Sequence, residues 1–123
     1  MILADTCVWI DHLRTGEPAL AALLEQAEVC CHPMIVAELA LGNMRDRGAV
    51  LGLLGNLPGV RLPGHGEVVR LVESAVLYGK GLSAVDAHLL AAARISDDVR
   101  LWTRDQRLRA EAERLNVAAV GLT

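Results

Sequence analysis

The amino-acid sequence predicts an α/β protein, a three-layer α/β/α sandwich with a mostly parallel central sheet. Short apolar segments alternate with longer segments whose apolar residues recur at helical spacing. Strands that alternate with helices imply right-handed crossovers, which make the sheet parallel and cover both of its faces. The composition agrees, because 53% of the residues are hydrophobic and such a sheet, or a large subunit interface, buries much apolar surface.

The first elements are read from apolar runs and the residues that interrupt them. Residues 1–4 form an apolar strand that ends at Asp5 and Thr6, which favour the start of a helix over the apolar residues that follow. Residues 17–27 form a second helix, with a proline in its first turn. Residues 28–32 form a short strand, because a proline stops the run immediately afterwards.

The middle of the chain predicts two more helices and a weak strand. Residues 34–45 form a strongly apolar helix that contains Glu38. Residues 47–57 form a weaker helix that ends in a Gly/Pro turn, and residues 60–62 form a minimal strand. Residues 66–78 form the next helix, which a Gly-Lys-Gly segment ends.

The C-terminal part repeats the alternation of helix and strand. A helix begins at Ser83 and runs to about residue 96, and residues 99–103 form the strand after it. Residues 105–115 form the last helix, and residues 117–122 form a closing strand. No repeat or linker divides the chain, and 123 residues suit one domain over residues 1–123.

The location and the cysteines are predicted from what the chain lacks. No apolar run approaches the ~20 residues needed to cross a bilayer, and the N-terminus lacks the layout of a signal peptide. We therefore expect a cytoplasmic protein without membrane contact. Three cysteines, an odd number without C-x-x-C spacing, indicate buried thiols rather than zinc ligands or disulfides.

Three carboxylates are predicted at one edge of the sheet. Asp5 ends the first strand, Asp86 lies in the first turn of its helix, and Asp105 begins the last helix. In open parallel sheets, sites form beyond the carboxyl ends of the strands, near the N-termini of the helices that follow. Each acid also has a structural explanation as a helix cap, and Ser83 with Asp86 matches a capping box.

Glu38 is the fourth candidate, because it is the only charge in a long apolar run that we expect to be buried nearly all round. Carboxylates that converge repel one another, and each pair ~4 Å apart costs on the order of 4 kcal/mol at an effective dielectric of about 20. A hard cation such as Mg²⁺ or Mn²⁺ relieves this repulsion, since it prefers oxygen ligands. Such ions bridge phosphate oxygens and activate water, which is the chemistry of phosphodiester hydrolysis.

Four segments carry the candidate acids, and these segments are I-L-A-D-T-C, V-A-E-L-A-L-G, S-A-V-D-A-H-L-L-A-A-A and L-W-T-R-D-Q-R-L. They resemble motifs of the PIN domain family, in particular of its VapC toxins from type II toxin–antitoxin systems, follow the family's order and span residues 2–108. The resemblance implies a PIN-like fold and an endoribonuclease that depends on Mg²⁺, with Mn²⁺ as an alternative. The implied catalytic residues and metal ligands are Asp5, Glu38, Asp86 and Asp105.

The resemblance extends to supporting residues and partners. Thr6 and Thr103 are similar to hydroxyl residues that support the family's metal site, although both also suit a role as caps. The implied partners are an RNA substrate, a VapB-type antitoxin and a second copy of the chain, within a larger toxin–antitoxin assembly. Whether Asp97 or Asp98 assists the site stays open.

The net charge of −3 argues against a nucleic-acid partner until the proposed ligands are set aside. The remaining 11 acids then face 12 cations, and 11 of these cations are arginines, which suit bidentate phosphate contacts. The arginines nearest in sequence to Glu38 and Asp105 are the candidate RNA contacts, with solvated ion pairs as the alternative: Arg45, Arg47, Arg104 and Arg107.

Two other functions compete with the nuclease. A phosphotransferase of the haloacid dehalogenase type needs Asp-x-Asp after the first strand, and this chain has Asp5-Thr6-Cys7 instead. A catalytically inactive RNA-binding or antitoxin-binding module of the same fold would use the acids only as caps. The histidines lack H-x-x-x-H spacing, and Trp9 and Trp102 lie in apolar segments that favour the core over base stacking.

Overall fold

The computed structural model describes all residues of the chain, 1–123. Its sheet has three parallel strands, β1 (Ile2–Ala4), β2 (Val29–Cys30) and β3 (Arg100–Trp102), in the order β2-β1-β3. Isolated parallel bridges extend this order at both edges, from Cys31 to Gly59 beside β2 and from Leu101 to Ala118 beside β3. The predicted parallel sheet is confirmed.

Seven helices cover the sheet. They are α1 (Thr6–Thr15), α2 (Pro18–Glu25), α3 (Pro33–Leu41), α4 (Arg47–Asn56), α5 (His65–Ser74), α6 (Ala84–Ile95) and α7 (Gln106–Arg114). From β1 the chain moves through β2 to Gly59 in one direction, and it then crosses back over β1 to β3 and Ala118. Right-handed crossovers therefore place α1 to α4 on one face of the sheet and α5 to α7 on the other.

The helix contacts agree with this three-layer α/β/α arrangement. Helix α3 packs against both α1 and α4, whereas α5 packs against α6, and α6 packs against β3.

The core runs through the sheet, where Leu3 and Ala4 are completely buried. Trp9 and Trp102 are 1% and 2% exposed, which confirms their predicted place in the core. None of the seven helices has the length and hydropathy of a membrane-spanning helix.

Two predicted helices end earlier than their apolar patterns indicated. The helix predicted over 34–45 stops at Leu41, because Gly42 takes an extended conformation and bonds back to the carbonyl of Leu39. The helix predicted over 66–78 stops at Ser74, since Val76 has a positive φ of 53° that no helix accommodates.

Two predicted edge strands are reduced to single bridges. Residues 60–62 lie between two prolines, which cannot donate to a ladder, and only Gly59 pairs with the sheet. Residues 117–122 pair only through Ala118, because the chain then leaves the sheet and exposes 94% of Val120. Edge strands depend on a neighbour that is distant in sequence, so a short apolar run does not secure them.

Candidate functional site

The candidate site lies where the carboxyl ends of β1 and β3 meet. Helix α1 leaves β1 toward one face of the sheet and α7 leaves β3 toward the other, which creates a crevice between them. Asp5 and Thr103 are the first residues beyond these strands. The backbone N–H of Asp5 donates to the carbonyl of Trp102 at 2.8 Å, so the two strand ends are joined at the crevice.

Asp5 is held through both of its carboxylate oxygens. Its Oδ1 accepts the backbone N–H of Thr6 at 2.8 Å, which makes Asp5 the N-cap of α1. Its Oδ2 accepts the buried hydroxyl of Thr103 at 2.8 Å. The side chain is only 8% exposed, and a buried carboxylate requires such donors. Asp5 therefore caps α1, as its structural explanation predicted, and it does so at the crevice where the candidate acids were expected.

Thr103 links Asp5 to Asp105. Its hydroxyl donates to Asp5 and accepts the backbone N–H of Asp105 at 3.1 Å. The Oδ1 of Asp105 in turn accepts the backbone N–H groups of Arg107 and Leu108, at 2.9 and 3.1 Å, and caps α7. Asp105 is exposed while Thr103 is buried. One chain of hydrogen bonds therefore joins the predicted acids of the first and last helices.

Glu38 reaches the same edge through Thr6. The hydroxyl of Thr6 donates to Oε1 of Glu38 at 2.6 Å, and the backbone of Thr6 donates to Asp5. The expectation that this helix is buried nearly all round is wrong, because α3 buries only Ile35 and Leu39 and leaves Glu38 exposed. Glu38 is therefore available to a ligand without a burial penalty.

Asp86 forms the predicted capping box and also lies within the electrostatic influence of two other acids. Its Oδ2 accepts the backbone N–H of Ser83 at 3.0 Å, and its own N–H donates to the Ser83 hydroxyl at 3.1 Å. Partial burial raises the pKa of Asp86, and the negative charges of Asp5 and Asp105 raise this pKa further. Capping and convergence with the other acids are thus compatible in one side chain.

The donor set suits a hard cation. All four acids supply carboxylate oxygens, and the pKa of Asp86 is raised first by burial and then also by the negative charges of Asp5 and Asp105. As the side chains stand, no three His, Cys, Asp or Glu residues are close enough together to hold one ion directly. Mg²⁺ does not need three direct ligands, because it usually keeps several waters and binds through one or two carboxylates. A hydrated Mg²⁺ therefore fits this edge.

The comparisons with known proteins give the family. The family model described as the PIN domain matches residues 2–113, which include all four acids and both threonines of the site. This chain belongs to the PIN domain family. Two similar proteins are both named Ribonuclease VapC32, from Mycobacterium tuberculosis strains CDC 1551 / Oshkosh and ATCC 25618 / H37Rv. Each is 48% identical over 118 residues, which cover 96% of this chain and 95% of the relative.

Two of the four arginines predicted to contact RNA are engaged within this PIN domain. Arg104 donates to Asp11 at 2.6 Å and to Glu17, and its guanidinium lies 5.6 Å from the ring centroid of Trp102. Arg47 donates to the carbonyl of Ala40 at 2.7 Å, near the C-terminus of α3. These contacts hold structural elements together and do not support the predicted roles of Arg104 and Arg47 in RNA binding.

Arg45 and Arg107 remain exposed and make no side-chain hydrogen bond or ion pair within the PIN domain. Arg45 lines a groove of about 490 Å³ together with Glu38 and Arg14. Arg107 follows Asp105 closely and packs against Gly81, where any side chain would overlap its guanidinium. Two cationic side chains thus stand next to acids of the site.

Asp97 and Asp98 lie at the opposite edge of the sheet. They precede β3, and the carbonyl of Asp98 accepts the N-terminal amino group of Met1 at 2.7 Å. The strand separates them from the crevice at its carboxyl end. Asp97 and Asp98 therefore lie away from the four candidate acids.

Cys7 is a residue of the site that the sequence analysis treated only as an apolar thiol. Its Sγ lies 3.7 Å from Oδ2 of Asp5 and 3.4 Å from the backbone N of Arg104. Burial is the largest cause of its raised pKa, and the Asp5 charge adds to it. The spacing of two residues from Asp5, across a strand-to-helix junction, was the available signal. Cys30 and Cys31 are buried, as predicted.

Proposed function

We propose that this protein is a VapC-type toxin, a metal-dependent endoribonuclease that hydrolyses RNA phosphodiester bonds. The observation that carries the proposal is the hydrogen-bonded line of acids from Glu38 through Asp5 to Asp105. The charges of Asp5 and Asp105 also contribute to the raised pKa of Asp86. This line lies in a chain that is 48% identical to proteins named as ribonucleases. The acids, rather than any histidine or serine, are the groups available for chemistry at the crevice.

The proposed catalytic residues and metal ligands are Asp5, Glu38, Asp86 and Asp105. A bound Mg²⁺, or Mn²⁺, would supply charge stabilisation on the phosphate and a water activated for attack. The protein's own contribution is orientation, because Thr103 and the N-terminus of α1 together fix both oxygens of Asp5. Thr6 holds Glu38 toward Asp5 in the same way. The acids are thus oriented before any ligand arrives.

The RNA backbone is proposed to follow the cationic side chains beside the acids. Arg45 and Arg107 are free to contact phosphates on the two sides of the site, near Glu38 and Asp105 respectively. A guanidinium suits this role because its planar donors match phosphate oxygens. These contacts position the RNA without reading its sequence.

We further propose that the chain forms one domain over residues 1–123 and acts in the cytoplasm as a homodimer restrained by a VapB-type antitoxin. Exposed apolar side chains on the packed helices α3 and α4 support a protein partner, since Leu41 is 90% exposed and Leu53 is 50% exposed. The groove itself is lined by further apolar residues beside Glu38.

An inactive RNA-binding or antitoxin-binding module of the same fold is the second candidate. It is favoured by the capping roles of Asp5, Asp86 and Asp105, and by the spacing of the acids, which brings no three of them close enough to hold one ion directly. This module would bind its partner equally well with and without a divalent metal. The exposed position of Glu38, which caps nothing, favours the nuclease.

The test is RNA cleavage by the purified chain, free of antitoxin, in Mg²⁺, in Mn²⁺ and in EDTA. Asp5→Ala and Asp86→Ala proteins, purified identically, control for contaminating nuclease. We expect cleavage that requires metal and disappears in both variants. Cleavage that continues in EDTA, or that survives in the variants, would contradict the proposal and favour the inactive module.

A further inference from the structure

Only one aromatic side chain besides the histidines is exposed. Trp9 and Trp102 are in the core, whereas Tyr78 exposes 58% of its surface. A tyrosine ring offers a large rigid contact surface at a small cost in conformational entropy, so an exposed ring is suited to recognition. Tyr78 is therefore the ring of this chain that can stack on a nucleic-acid base.

Tyr78 lies beside the N-terminus of α6, which carries Asp86. The tyrosine and Ser83 line the same cavity of about 200 Å³. Ser83 is the residue that exchanges two hydrogen bonds with Asp86. The exposed ring thus shares a cavity with Ser83, the residue that is hydrogen-bonded to the proposed catalytic carboxylate of Asp86.

The segment that presents Tyr78 is anchored on both sides. Leu77 is buried in the core at 3% exposure. On the other side, Nζ of Lys80 pairs with Oε1 of Glu111 on α7 at 2.9 Å. Gly79, between the two anchors, and Gly81, directly after them, take φ angles of +72° and +76°, which lets this short segment turn sharply. A ring on an anchored segment loses little freedom when it binds a ligand.

Positive charge accompanies the ring. Arg107 packs on Gly81, three residues from Tyr78, and its backbone N–H is bonded to Asp105. The Lys80 charge is already engaged by Glu111, so Arg107 is the cation available to a phosphate here. An aromatic ring beside a free cation is the combination that binds single-stranded nucleic acid, where bases stack and the backbone is neutralised.

We propose that Tyr78 stacks on an unpaired base of the RNA next to the phosphate that is cut, while Arg107 contacts the adjoining backbone. The inference rests on the proposed nuclease function and deepens it by naming the side chain that holds one base of the RNA beside the cut. Tyr78 is then a specificity-determining residue, because a base held at this position sets which phosphate meets Asp86.

The test removes the ring and the base separately and then together. The first probe is an unstructured oligoribonucleotide that the wild-type protein cuts. The other probes are derivatives of it, each of which lacks one base near the cut. KM is measured for cleavage, and Kd is measured by fluorescence anisotropy in an Asp86→Asn background. Stacking predicts that Tyr78→Ala weakens binding about 5- to 150-fold and that Tyr78→Phe behaves like the wild type.

The decisive comparison combines Tyr78→Ala with an oligoribonucleotide that lacks one base. If the ring contacts one base, removing that base weakens binding to the wild type but has no further effect on Tyr78→Ala. Leu62→Ala is the control, because Leu62 is equally exposed, at 57%, and lies outside the cavity that Tyr78 lines. Unfolding midpoints of Tyr78→Ala and Leu62→Ala should both stay close to the wild type.

Three results would overturn the inference. The first is an unchanged Kd for Tyr78→Ala, and the second is a loss of affinity in Tyr78→Phe as large as that in Tyr78→Ala. The third is that, for every base tested, removing the base weakens binding to Tyr78→Ala as much as it weakens binding to the wild type. In each case the wild type still cuts RNA, so the nuclease proposal stands. A wild-type protein that cuts no RNA in any metal would instead contradict the proposed function, and the two failures are thereby distinguished.

Discussion

Replacing Thr103 with valine removes one hydroxyl and keeps the shape of the side chain. That hydroxyl donates to Asp5 at 2.8 Å in a buried position, and it accepts the backbone N–H of Asp105 at 3.1 Å. A hydrogen bond to a charged group contributes about 1.5–3 kcal/mol, and a buried acceptor left without its donor costs a similar amount. We therefore expect Thr103→Val to lower the free energy of unfolding by about 2–3 kcal/mol.

The assay is urea unfolding in EDTA, which removes any contribution from bound metal. With a slope of about 1–3 kcal/mol/M, the midpoint should fall by about 0.7–3 M at an unchanged slope. Thr103→Ser keeps the hydroxyl and should lose only about 0.8 kcal/mol for its missing methyl group. Thr15→Val is the matched surface control, because its hydroxyl bonds a carbonyl at an exposed position; it should change stability by less than about 0.5 kcal/mol.

The orientation of Asp5 by Thr103 also affects metal binding. Loss of a residue that orients a metal ligand typically lowers metal affinity about 10- to 100-fold, so Thr103→Val should bind Mn²⁺ correspondingly less tightly than Thr103→Ser. If Thr103→Val proved as stable as Thr15→Val, the Thr103 bond would contribute nothing to the fold. The argument that Asp5 is held in place by this hydroxyl would then be refuted.

Three further predictions follow from the same contacts. The pKa of Asp86 is raised from 3.8, so folding stability is lost as pH rises through the raised pKa. When unfolding is measured in EDTA, Asp86→Asn should therefore be at least as stable as the wild type at neutral pH. The stabilities of the two proteins, plotted against pH, should converge below pH 3.8. The pKa of His32 is lowered from 6.5 by burial first and by a second histidine, so stability is lost as pH falls below 6.5; His32→Asn keeps a capping acceptor and should flatten this loss in thermal unfolding. Arg45→Ala and Arg107→Ala should each reduce the salt slope of RNA binding by about one, whereas Arg104→Ala should lower stability and leave the slope unchanged.

The position of the site was predictable because it depends on local patterns and one general rule. An apolar run ending at Asp5, and a second one followed by Thr103 and Asp105, identify strands whose carboxyl ends meet in a parallel sheet. The capping box of Asp86 was predictable for the same reason, since cap and partner are three residues apart. Capping patterns a few residues long therefore place Asp5, Asp86 and Asp105 at the N-terminal ends of their helices.

Contacts between distant segments were not predictable in this way. Arg104 was expected to meet RNA, but its partners Asp11 and Glu17 lie 93 and 87 positions away and are brought to it only by folding. The burial of Glu38 was overestimated because apolar composition does not tell which face of α3 meets the core. The ion pair that anchors the segment of Tyr78 likewise joins Lys80 to Glu111 of α7, 31 positions away, which no local pattern reveals.

The most direct test of the central claim, that the four carboxylates act as one metal site, is a titration of Mn²⁺ followed by isothermal calorimetry. The variants are the charge-neutral replacements Asp5→Asn, Glu38→Gln, Asp86→Asn and Asp105→Asn, with Asp97→Asn as the control at the opposite edge of the sheet. We predict saturable binding to the wild type and to Asp97→Asn, with affinity lowered by about 10-fold or more in each of the other four. Binding that is absent from the wild type, or that survives unchanged in all four variants, would contradict the account.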